Sequence, residues 1–172
     1  MKNRVTPINA EIRLRDDHLL ISKTDPKGRL TYCNREFIHI SGYSEMELLG
    51  QQHNIVRHPD MPRGVFRLLW NTLSSGNEFF GYIKNMTKDG RFYWVMATVT
   101  PSYTSLGQLA GYASVRRKPR DGFAQTIEPL YAEMLEVERN HGAADAPDAS
   151  IRLLEQRMAE MNTEYEPFIL TI

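Results

Sequence analysis

The chain has 172 residues, 41% of them hydrophobic. That is enough for one domain with a buried core plus an appendage, and too apolar for wholesale disorder. Lys plus Arg and Asp plus Glu each number 21, so no net charge draws the chain to nucleic acid or to an anionic membrane. The one cysteine, Cys33, excludes an intrachain disulfide framework and a multi-cysteine metal site. With no apolar run long enough to span a bilayer and no signal-type segment, the expectation is a soluble, cytoplasmic protein, which can still be a piece of a longer membrane receptor.

Residues 1–17 are mixed and polar, with apolar Ile8, Ile12 and Leu14, and read as a flexible, partly helical cap. His18 to Thr24 has strand character. Asp25-Pro26-Lys27-Gly28 is a turn, and Arg29 to Cys33 returns as the second strand of a hairpin. A short helix over Asn34–Ile40 is broken by Ser41-Gly42. Ser44 and Glu47 make an S-x-x-E capping box for a helix that Gly50 closes. Gln51 to Asp60 has no clear period. Val65, Phe66, Leu69, Trp70 and Leu73 share one helical face, which predicts a helix over Met61–Leu73 with Asp60 as N-cap and Pro62 in the first turn.

Three β runs follow. Phe79–Thr87 and Arg91–Thr100 flank Lys88-Asp89-Gly90, a strong hairpin signal, and Gln108–Arg116 pairs by way of a turn at Ser105-Leu106-Gly107. The order ββ, short helices, βββ predicts an α+β fold, a five-stranded antiparallel sheet with short helices on one face and a pocket beneath them. The basic run from Arg116 to Arg120 reads as a solvated tether. In the tail, Ile127–Arg139 is amphipathic, with Pro129 acceptable only in a first turn. Residues 141–148 read as a linker, and Ile151, Leu154, Met158 and Met161 mark a further short helix. The division is therefore a cap (1–17), a sensor-sized domain (18–118) and a helical tail (119–172).

His53, Arg57, His58 and Asp60 crowd a short stretch that borders the predicted pocket. Arg offers a planar donor fork and His a donor or acceptor. The plain alternative is a capped surface loop. Two His at this spacing suit neither a helix nor a strand face, and no further zinc ligands are in view. A haem with an axial His is the neighbouring alternative. Phe66, Trp70, Phe79 and Trp94, with other aromatics, could line a slab-shaped pocket or simply form core. Asn34 and Asn85 sit in or beside buried elements, where an amide must find partners. An amide also suits a flavin ring edge that accepts a hydrogen bond when oxidised and donates one when reduced. No Gly-rich phosphate loop, nucleophile elbow or H-E-x-x-H motif occurs, which favours a binding module over an enzyme.

Thr24-Asp-Pro-Lys-Gly-Arg-Leu-Thr-Tyr-Cys-Asn34, Phe37 and Ser41-Gly-Tyr-Ser-Glu-Met-Glu-Leu-Leu-Gly50 resemble the PAS family over roughly residues 18–118. Gln52 to Pro62, with Phe66, Trp70, Gly81, Lys84-Asn85, Asp89-Gly90 and Tyr93-Trp94-Val95, resembles the aerotaxis-receptor branch of that family, and Arg57-His58-Pro59-Asp60-Met61-Pro62 is specific to that branch. The resemblance implies non-covalent FAD whose redox state is the signal. His53, Arg57, His58 and Asp60 match FAD-binding positions, and Asn34, Trp70 and Asn85 match pocket positions. Phe79 or Phe80 stands where the branch has a pocket Trp. Past Tyr131 nothing resembles that branch's membrane anchor or signalling helices. The helical segment after Gly50 lacks the cysteine of photosensing relatives. The implied partners are a signalling domain or partner protein, reached through the sheet or tail helices, and a second copy of the chain. A cofactor-free dimerisation or docking module is the alternative.

Overall fold

A computed structural model describes residues 5–172. Five strands, β1 (Leu19–Thr24), β2 (Leu30–Cys33), β3 (Phe79–Met86), β4 (Phe92–Tyr103) and β5 (Leu109–Arg117), form one sheet in the order β2-β1-β5-β4-β3. Every neighbouring pair is antiparallel. Between β2 and β3 run α1 (Arg35–Ser41), α2 (Glu45–Leu48), a 3-10 turn (His53–Val56) and α3 (Arg63–Ser74). The tail forms α4 (Phe123–Arg139), α5 (Ala146–Glu160) and α6 (Tyr165–Thr171). The expected α+β architecture is what the structure contains, with one addition: helices occupy both faces of the sheet.

The period-2 pattern of β4 explains the two faces. Ala97 and Val99 point to the inner face, beneath α3. Trp94, 5% exposed, points outward, where α4 covers it. The ring of Phe123 stacks on Tyr82 at 4.9 Å and meets Trp94 edge-on at 5.3 Å, and the Tyr131 hydroxyl donates to the Tyr82 carbonyl at 2.8 Å. α5 packs between α3 and α4. α6 lies along β3, an edge strand, with Tyr165 stacked on Phe79 and the Tyr82 hydroxyl donating to the Ile172 carbonyl. A covered edge cannot template pairing with another chain.

Local chemistry sets the element ends. The capping box at Ser44 is complete: its hydroxyl accepts from the Glu47 N–H at 3.3 Å, and the Glu47 carboxylate accepts from the Ser44 N–H at 2.9 Å. Gly42, at φ 74°, closes α1 with a conformation that a side chain would strain.

Four readings change. Residues 5–14 are extended rather than helical: Ile8 and Ile12 donate to the Gly90 and Phe92 carbonyls, and Leu14 is buried. Residues 1–4 of the cap lie outside the described residues. α3 begins at Arg63, so Pro62 is its N-cap and Asp60 caps nothing. α4 begins four residues earlier than the pattern suggested, because Phe123 buries its ring against the sheet, and this leaves Pro129 inside the helix. The end of the 141–148 linker is the first turn of α5, with Pro147 in a position that needs no N–H.

Because Trp94 is the main outward anchor for α4, Trp94→Ala should cost about 3–5 kcal/mol. It is read as a lower urea midpoint with an unchanged slope.

Candidate functional site

A cavity of about 210 Å³ lies between the inner face of the sheet and α3. α3 contributes Phe66, Leu69, Trp70 and Leu73, the helical face legible in the sequence. The sheet contributes Ile83, Ala97 and Val99 as an apolar floor, and Thr24, Asn85, Ser114 and Arg116 as polar groups. The 3-10 turn supplies His53, and the loop after it Arg57. Trp70, 44% exposed, stands at the rim with its ring edge-on to Tyr112 at 5.3 Å. Apolar walls with a few converging polar groups are the usual make-up of a small-molecule site.

Arg116 dominates the electrostatics. It is 2% exposed. One guanidinium nitrogen, Nη2, donates to the Ser22 hydroxyl and to His53 Nε2, and the cation lies over the Phe37 ring, 4.8 Å from its centre. The other nitrogen, Nη1, has no partner among the described residues. No carboxylate pairs with Arg116 among the described residues, and burial pushes its pKa down to about 10, so it stays charged at neutral pH. His53 must accept from this cation, which places its ring proton on Nδ1. Loss of water, and then the Arg116 charge, push the imidazole down to about 3. His53 is therefore neutral at physiological pH.

Two more polar atoms on the cavity wall lack partners: Asn85 Nδ2, on a residue 4% exposed, and Thr24 Oγ1. A buried donor without an acceptor is costly and rare. Here an amide N–H, a guanidinium N–H and a hydroxyl without partners belong to residues that line one cavity. That set fits a planar ring with acceptors along one edge.

The ten residues singled out by sequence separate into two groups. His53, Arg57, Phe66, Trp70 and Asn85 line the cavity. Arg57 also donates to the Met61 carbonyl at 3.1 Å and lies 4.2 Å over the Phe66 ring. Asn34 is used by the backbone: Oδ1 accepts from Ile21 and Phe37, and Nδ2 donates to Leu19. It caps α1 and ties it to β1. His58 and Asp60 stand outside the cavity lining. His58 Nδ1 accepts from the Asp60 N–H, and the Asp60 carboxylate pairs with Lys84 Nζ at 2.9 Å, clipping the loop to β3. Phe79 packs on Tyr165 and Trp94 on α4.

Arg116 was missed. The basic run that contains it reads as a tether, yet it belongs to the last turn of alternation in β5. Tyr112, Ser114 and Arg116 fall on one face, and that face is the inner one. Period 2 carried through to residue 116 is the signal that could have found it.

A family model described as the PAS fold matches residues 30–116, about half of the chain. The aerotaxis receptor of Escherichia coli (strain K12) is 43% identical over 118 residues, 69% of this chain and 23% of that protein. The nitrogen fixation regulatory protein of Klebsiella pneumoniae is 32% identical over 97 residues, 56% of this chain and 20% of that protein. The chain thus spans less than a quarter of the length of these curated relatives. Among solved structures, the light state of the blue-light photoreceptor Aureochrome1 LOV superposes with a TM-score of 0.57 at 21% identity, covering 66% of this chain and 90% of that one. That likeness concerns the fold alone.

The neutral His53 gives a pH signature. An unfolded chain takes up a proton near pH 6.5, while the folded ring resists it down to about pH 3. Stability should therefore be fully present above pH 6.5 and fall as pH drops through that window. Denaturant midpoints across the window should fall less steeply for His53→Asn than for the parent.

Proposed function

The chain belongs to the PAS fold family, and from that premise we propose that it is an FAD-binding sensor of redox state or oxygen. The observation that carries this reading is the group of unpartnered atoms, Arg116 Nη1, Asn85 Nδ2 and Thr24 Oγ1, on one apolar cavity. A flavin ring edge supplies acceptors for those donors and an apolar face for Phe66, Leu69 and Ile83. A cavity of about 210 Å³ suits a ring system, and the rest of a dinucleotide must extend past the rim at Trp70. FAD rather than a smaller flavin follows from the likeness to the aerotaxis receptor. A haem reading is less well supported, because His53 Nε2 is engaged by Arg116 and Ser22.

A bound flavin supplies reversible electron uptake, with a change of charge and protonation along its ring edge. Arg116 keeps a fixed positive charge beside that edge and favours the more negative state. Asn85 can present its N–H to an acceptor or, by rotating, its carbonyl to a donor. An amide held in one orientation would lose a buried hydrogen bond on the change of state. That costs about 1–3 kcal/mol, enough to shift a two-state element tenfold or more. Residues 18–118 thus act as the sensor and residues 119–172 as the relay to a signalling domain or partner, in an aerotaxis-like signalling role rather than in turnover of a substrate.

Purified protein, reconstituted with FAD, should show the blue absorption of an oxidised flavin; its absence after reconstitution sinks the reading, and a haem Soret band would replace it. Arg116→Gln should retain the fold and make the bound flavin harder to reduce, seen as a more negative midpoint potential in dye-coupled titration. Asn85→Ala should hold some FAD yet lose the redox-dependent change in protease sensitivity. If that change survives, Asn85 is not the switch.

A further inference from the structure

α3 forms one wall of the cavity, yet its main packing partner is α5 of the tail rather than the sheet. Its N-terminus has no local cap: Pro62 offers no side-chain acceptor, so the first N–H groups of the helix need a partner from elsewhere. That partner comes from 74 residues away. Glu138, in the last turn of α4, accepts the Gly64 N–H on Oε1 at 2.9 Å. The same oxygen accepts the hydroxyl of Ser150, a fully buried residue of α5, at 2.7 Å. One carboxylate oxygen therefore joins α3, α4 and α5.

The approach there is close. A Cβ on Gly64 would lie 2.1 Å from Ser150 Oγ and 3.0 Å from the Pro147 carbonyl. Glycine is what lets α5 rest on the α3 backbone. The exposed Arg67–Asp148 pair, 2.9 Å, lies along the same seam and adds little energy. On the other side of α3, Phe66, Leu69, Trp70 and Leu73 face the cavity. Just before it, Arg57 holds the Met61 carbonyl and covers Phe66. A shift of α3 caused by a cavity ligand must act on the Glu138 junction.

We infer that Glu138 is a positioning residue that registers α3 against the tail and so couples filling of the cavity to the docking of α5. This rests on the proposed flavin site for its ligand. Coupling of this kind is reciprocal: whatever factor by which the ligand strengthens docking of α5, docking strengthens ligand binding. A merely structural cap would lower stability without that symmetry.

The test uses the full chain. Amide hydrogen exchange over Ala146–Glu160 is measured with and without FAD, alongside FAD affinity by titration. In the parent, FAD should slow exchange of α5 by about fivefold or more. Glu138→Ala should abolish that slowing and weaken FAD by a matching factor, while Glu138→Gln, which keeps an acceptor oxygen, should restore most of both. Ser150→Ala, which removes one of the two bonds and no charge, should give an intermediate result if Glu138→Ala proves too unstable to study. Indifference of α5 to FAD in the parent, or survival of the slowing in Glu138→Ala, overturns the inference. If the parent takes up no FAD, the flavin reading fails separately. The coupling is then read from Leu73→Ala, a cavity-side truncation of α3, which must change α5 exchange in the parent background and leave it unchanged beside Glu138→Ala; any other outcome overturns it.

Discussion

A guanidinium enclosed under the sheet, with no carboxylate to pair it among the described residues, is the constraint around which the cavity is arranged. Taking a cation out of water costs several kcal/mol unless polar partners replace the lost hydration. Arg116 finds part of that replacement in the Ser22 hydroxyl, the lone pair of His53 and the face of Phe37. Those partners lie on β1, the 3-10 turn and α1, so one buried charge registers three elements against β5. Burial disfavours a charged imidazole at His53, and the Arg116 cation beside it adds to that, so the ring stays neutral and acts as an acceptor.

The polar stretch after Gly50 is divided by this geometry. His53 and Arg57 turn toward the cavity, whereas Asp60 fastens the loop to β3 through Lys84 and His58 accepts the Asp60 N–H with its ring edge-on to Phe92 of β4. Residues adjacent in sequence thus have separate work: some bound the cavity, others hold the loop that bounds it. The same division appears on α3. One face lines the cavity, and its N-terminus is held from behind by Glu138. α3 thus faces the cavity on one side and packs against α5 of the tail on the other.

Much of the fold was legible in the chain. The Asp25–Gly28 turn, the Asp89-Gly90 hairpin and the Ser44–Glu47 capping box are local chemistry, decided by residues a few positions apart, and the structure contains each. The apolar face of α3 follows from its 3.6-residue period. Within the site, His53, Arg57, Phe66, Trp70 and Asn85 stood out by residue type and by the family likeness, and they converge on one cavity. Asn34 stood out for the same reason, but its amide is consumed by backbone groups of β1 and α1.

Sequence alone determined the order of the five strands and the main helices, their periodicity and the family, because those depend on nearest neighbours and on patterns that a single strand or helix carries; the 3-10 turn and α6 carried no such pattern. Tertiary structure decided which polar groups are satisfied and which are left open. Arg116 looks like one of several solvated bases until β5 is paired between β1 and β4, when period 2 drives it inward beside His53, 63 residues away in the chain. Trp94 looks like pocket lining until Phe123 covers it from the outer face. Glu138 looks like surface charge until α5 brings Ser150 to it and α3 offers an uncapped N–H. Desolvation and hydrogen-bond pairing are properties of the assembled layers, and no local pattern encodes them.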